Sequence, residues 1–183
     1  MKNLLIGLTL VLLDISLFWS GHQIELLPDF VGFWFIAQNM KHLGRESRVF
    51  AKFADYAKGA AGVSLLVFVA KAVGVEIAWL DFVVDVAAAA MAYGCAWVVL
   101  QGIHEFEVNR SQDLQYDILM YGLRNTAIAA VVSCLLGLLP IVGIFGWIVE
   151  MIFAFGFLVD FKKTALLFSS KKERARISEY SEE

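Results

Sequence analysis

The sequence predicts an all-α membrane protein, a bundle of about six transmembrane helices arranged as three hairpins, and three observations carry that expectation. Hydrophobic residues make up 60% of the 183 positions and charged residues only 18%, against about 45–50% and about 25% in soluble domains. The apolar residues are gathered into runs close to the roughly 20 residues that cross about 30 Å of hydrocarbon. The Lys and Arg residues between those runs fall almost entirely on one side. Two prolines and fifteen phenylalanines exclude disordered and collagenous chains. A net charge of −3 without a basic domain excludes a nucleic-acid partner.

The first span is expected over residues 4–20, interrupted by Asp14. Its start resembles a signal peptide, but no small-x-small cleavage site precedes Gly21, so a retained membrane helix is expected. The second, residues 26–43, carries Pro28 in its opening turn, where a missing N–H costs nothing. The third covers residues 59–75 and the fourth 77–103, long enough to tilt or project. The fifth covers 118–139 with Arg124 near its start. The sixth follows the apolar turn 140–146 and reaches Phe161 or beyond. One transmembrane domain, residues 1–168, is thus followed by a charged tail, 169–183, in which Lys171, Lys172, Arg174 and Arg176 face four glutamates in sequence.

Orientation follows from bases in short loops, which stay in the cytoplasm. Lys2, the group from Lys41 to Lys58, Arg110, Arg124 and the tail all fall on one side, so both termini are expected to be cytoplasmic in a bacterial cell membrane. Lys71 alone departs, near a helix end where its stem can snorkel. The tail bases serve that topology signal or bind lipid headgroups.

A charge near the centre of a span costs roughly 2.5–3.5 kcal/mol, so the deep acids ask for a reason. Asp14, Asp85 and Glu150, with Lys71 and Arg124 as counter-ions, are the candidate transport or polar-cavity residues. Asp81 and Asp85 share a helical face that continues through Ala88, Ala92 and Ala96, spacing that suits close helix packing. The plainer alternative is that Asp29 and Asp81 are first-turn acids favoured by the helix dipole, and that Asp85 pairs with Lys71. An acid followed by Phe-Val recurs at Asp29 and Asp81, with a looser echo at Glu150, as internal repeats of membrane folds would produce.

A second polar cluster, His42, His104 and Glu105, lies at the cytoplasmic mouth with Glu107 and Gln101 nearby. Two imidazoles and a carboxylate are a metal-ligand set. The spacing matches no ligand motif, however, and a solvated helix end explains the same residues, so neither metal nor cofactor is assigned. Cys95 and Cys134 are expected as buried thiols filling core space, and Trp97 as a packed residue. No phosphate loop, dinucleotide motif or nucleophile elbow occurs.

The stretch Glu25-Leu26-Leu27-Pro28-Asp29-Phe30-Val31-Gly32-Phe33 resembles the first hairpin of uncharacterised small multi-pass membrane proteins of Bacillota, a resemblance that brings no activity. Size and span count look like those of vitamin-binding subunits of energy-coupling-factor transporters, although residues 4–18 lack the Ala-xxx-Ala contact motif of that group. Three function classes follow. The leading one is a small non-enzymatic accessory subunit with a membrane-protein partner or a second copy. The alternative is a small-solute or ion transporter using the intramembrane acids, and a membrane-embedded enzyme at the histidine mouth comes last.

Overall fold

A computed structural model describes residues 1–13, 16–19, 22–25, 29–45, 47–73, 78–110, 113–136 and 140–181, with backbone alone at 16–19, 22–25, 78–82, 140–143 and 171–181. The described elements are α1 (Lys2–Leu12), β1 (Ser16–Trp19), β2 (His22–Glu25), α2 (Asp29–Leu43), α3 (Arg48–Ala72), α4 (Ala78–Arg110), α5 (Tyr116–Leu136) and α6 (Pro140–Ser181). Four of them, α3 to α6, contain stretches long and apolar enough to cross a membrane.

The expected first span is where sequence and structure part. Helix α1 stops at Leu12, and β1 pairs antiparallel with β2 in a register from Ser16↔Glu25 to Trp19↔His22. Phe18, Trp19 and Ile24 favour an extended chain. Asp14 lies outside the described residues. Helix α1 has 11 residues and α2 has 15, so at about 1.5 Å per residue they reach only about 16 and 22 Å.

The later boundaries shift for identifiable reasons. Helix α3 begins eleven residues before its predicted span because its N-terminus is capped: the Ser47 side chain accepts from the Phe50 N–H at 3.3 Å, meeting one of the orphan donors of a first turn. Helix α6 starts at Pro140 itself, since proline has the φ of a first helical residue and no N–H to lose.

Helices α1 and α2 cross where two glycines meet. A Cβ on Gly32 would lie 2.8 Å from the Gly7 carbonyl oxygen and 2.5 Å from Val11 Cγ2, and one on Gly7 would lie 2.8 Å from the Gly32 oxygen. Only hydrogen at both positions permits this approach. It lets α1 sink into the bundle, where Leu4 and Leu8 are fully buried and the helix touches α4 and α6 as well as α2. On α4, Gly102 receives the Phe50 ring from α3. Phe50 also tilts against Phe106 at 5.7 Å, and Phe106 against Phe168 of α6 at 5.5 Å, tying three long helices together.

These contacts run α1 antiparallel to α2, α3 to α4 and α5 to α6. The start of α1, the α2–α3 and α4–α5 connections and the region of Phe168 therefore share one end, called basal here. Lys41, Arg45, Arg48, Lys52 and Arg110 lie toward it. In the span windows only 22–28% of residues are buried within the protein, which leaves apolar surface uncovered, as on helices that could cross a membrane. Two expectations about that surface are corrected: Cys134 is exposed on α5, and Trp97 is 50% exposed rather than packed. Both lie on helix faces turned away from the core.

Candidate functional site

On α4, Ala92 and Ala96 are buried as the small-residue face requires, and that face leads to a cavity of about 260 Å³ in the half of the bundle opposite the basal end. Six polar side chains from four helices line it: Asp29 of α2, Ser64 and Lys71 of α3, Asp85 and Tyr93 of α4, and Glu150 of α6. The last two residues of α1, Val11 and Leu12, supply apolar wall.

Each polar group arrives for a local reason. Asp29 opens α2, where the helix dipole favours a negative charge. Lys71 stands in the last turn of α3, the end that favours a positive one. Its Nζ donates to Asp85 Oδ1 at 3.1 Å across the α3–α4 interface. The pairing anticipated from sequence is thus formed, and it sits at the cavity rim, since 64% of the Asp85 side chain is exposed against 26% for Lys71. The expectation that Asp85 points into a packed interface is corrected accordingly. Deeper along α4, Tyr93 Oη donates to Glu150 Oε1 at 3.3 Å.

Of the residues singled out from sequence, Asp85, Glu150 and Lys71 therefore share one cavity. Arg124 is exposed on α5 and does not line it. Asp81 lies in the stretch described by backbone alone. Sequence reasoning passed over Asp29, whose place at a helix start was already explained by the dipole, and Tyr93, which reads as one more aromatic of an apolar helix. Eight residues from Asp85, about two turns along α4, is the signal that could have marked Tyr93.

The basal cluster does not assemble as a ligand set. Glu105 is occupied with α3: its carboxylate accepts from the Ser47 hydroxyl and from the N–H groups of Arg48 at 3.2 Å and Val49 at 3.1 Å. Glu107 does the same for the start of α5, accepting from the N–H groups of Leu114 at 2.5 Å and Tyr116 at 3.1 Å. His104 stacks on Tyr116 with ring centroids 4.4 Å apart, and its Nδ1 lies 3.9 Å from Glu107 Oε2. His42 is exposed on α2. Among the described residues no three His, Cys, Asp or Glu side chains stand close enough to hold a metal ion. That includes the three cavity carboxylates, which line one space without converging on one point.

No protein-family model, curated protein or solved structure matches this chain.

Proposed function

We propose that the protein is a multi-pass protein of the cell membrane that binds and moves a small cation through the cavity of Asp29, Lys71, Asp85, Tyr93 and Glu150. The presence of three acids and one base in the lining of a single cavity carries this reading. With all four ionised the cavity holds more negative than positive charge, at a depth where charge is expensive and is normally kept for a pathway or a site. A space of about 260 Å³ holds roughly eight waters at about 30 Å³ each. It lies just below the range of about 300–1,000 Å³ typical of drug-sized ligands. The fitting substrates are a proton with its waters or a compact amine.

Lys71 gives this site its coupling. Its ammonium answers Asp85; an entering cation competes for that carboxylate, and the displaced Lys71 ammonium releases its proton, so one positive charge replaces another. Proteoliposomes loaded with a pH-sensitive dye test the reading. A gradient of methylammonium is expected to drive an opposing proton flux that Asp85→Asn and Glu150→Gln each abolish without lowering expression. Unchanged flux in both variants overturns it.

The accessory-subunit reading is the second, supported by α6. At 42 residues this helix extends about 63 Å, roughly twice the hydrocarbon thickness. Its basal extension bears Lys171, Lys172, Arg174 and Arg176 and offers a handle to another protein. Co-purification of a stoichiometric partner in mild detergent, lost on truncation after Ser170, favours that role.

A further inference from the structure

Next to the acidic cavity, with which it shares Val63 and Met91, a second space of about 700 Å³ lies between α3 and α4. Its walls are apolar, with Phe53, Tyr56 and Ala60 on one side and Gly94, Cys95 and Trp97 on the other. Gly59 and Gly94 leave its floor open, since a Cβ on either would meet nothing within 4 Å. From Phe53 to Val63 the groove follows α3 for ten residues, about 15 Å. That is half of the roughly 30 Å hydrocarbon thickness, the depth of one leaflet.

The groove is charged only at its basal rim. Asp55 lies there, and Lys58 Nζ reaches back to it at 2.6 Å. Lys41 of α2 acts on the same carboxylate, and Lys52 Nζ stands 5.7 Å from the centre of the Phe53 ring. Two exposed ammonium groups, Lys58 and Lys41, thus act on Asp55, and a third, Lys52, stands over Phe53 at the same end of an apolar channel one leaflet deep. Tyr56 and Trp97, 68% and 50% exposed, are the amphipathic aromatics that settle at headgroup level.

We propose that this groove is a binding site for one anionic phospholipid of the basal leaflet, its phosphate held by Lys41, Lys52 and Lys58 and one acyl chain laid along Gly59, Ala60 and Gly94. A zwitterionic lipid fills the groove equally well but gains less from the lysines, each of which contributes about fivefold toward an anionic surface. The site does not depend on what the acidic cavity carries.

Native mass spectrometry of the full chain, extracted from vesicles of equimolar phosphatidylglycerol and phosphatidylcholine, tests it. One retained phosphatidylglycerol per chain is expected, preferred several-fold over phosphatidylcholine. The combined Lys41→Gln, Lys52→Gln and Lys58→Gln variant is expected to lose the preference, and Gly94→Leu, which fills open space rather than packed core, to lose retention of both lipids. Equal retention of the two lipids by the unaltered chain, or undiminished retention by Gly94→Leu, overturns the proposal. So does a dimer that forms in place of the lipid-bound monomer, which gives the groove to a second copy.

Discussion

Two glycines decide whether α1 belongs to the bundle, whereas at Gly59 of α3 no neighbour constrains the choice of side chain. A Cβ at Gly32 strikes backbone and side chain of α1 at 2.5–2.9 Å, so Gly32→Val must push the helices apart. Overpacking of this kind costs about 1–3 kcal/mol and here strips burial from Leu4 and Leu8 as well. Gly59→Ala meets nothing within 4 Å, and exchanging glycine for alanine in a helix gains up to about 1 kcal/mol. Thermal unfolding in detergent is expected to move in opposite directions for the two variants. A second residue-scale prediction concerns Glu105. Its carboxylate serves two backbone donors and the Ser47 hydroxyl at the α3 start, so Glu105→Ala is expected to destabilise by about 0.5–2 kcal/mol, the usual worth of a cap. Glu105→Gln, which keeps one acceptor oxygen, is expected to recover part of that loss in the same assay. A metal-ligand role would instead make the two variants equally damaging to activity and silent in unfolding.

At the scale of elements, the Phe50 ring and Gly102 form a knob and hole that align α3 with α4 below both cavities. Phe50→Ala removes a fully buried ring that also touches Phe106, and truncations of this kind cost about 3–5 kcal/mol. Gly102→Ala invades the same space from the other side. The double variant Phe50→Leu with Gly102→Ala is therefore expected to cost less than the sum of its single changes, a coupling that a double-mutant cycle in chemical unfolding measures directly. The order of the helices and their antiparallel pairing were legible from the apolar runs and the short connections between them, whereas the lengths of α1 and α2, too short to count among the four candidate spans, were not. The break after Leu12 was not, because hydropathy counts Phe18 and Trp19 as span residues and cannot weigh a strand ladder against a helix. The early start of α3 was hidden for a similar reason: Arg48, Lys52 and Lys58 look like loop, and only Glu105, more than fifty residues away in sequence, completes the cap. Asp85, Glu150 and Lys71 could be found from the cost of charge in lipid, whereas Asp29 and Tyr93 join the cavity through tertiary packing that no local pattern encodes.

The described helices are sorted by charge along the bundle axis, the groove reaching toward the basal end and the acidic cavity toward the other, with Val63 and Met91 where the two meet. Lys41, Arg45, Arg48, Lys52 and Arg110 cluster toward the basal end, while the cavity opens in the other half, where Lys71 is the lining base. Positive loops are retained in the cytoplasm, so the bundle is expected to sit basal end inward, with the cavity reached from the outer half of the membrane. The inside-negative potential then acts on a bound cation in the inward direction, worth about 2.3 kcal/mol per charge per 100 mV for a full crossing and a fraction of that at partial depth. Thiol labelling in intact cells checks the orientation on which this depends. In a chain with Cys95→Ser and Cys134→Ser, Gln23→Cys is expected to react with a membrane-impermeant maleimide added outside, and Arg45→Cys only after permeabilisation. The reverse pattern would place the lysines of the groove on the outer leaflet and turn the acidic cavity toward the cytoplasm, where the same potential opposes release of the cation to the other side.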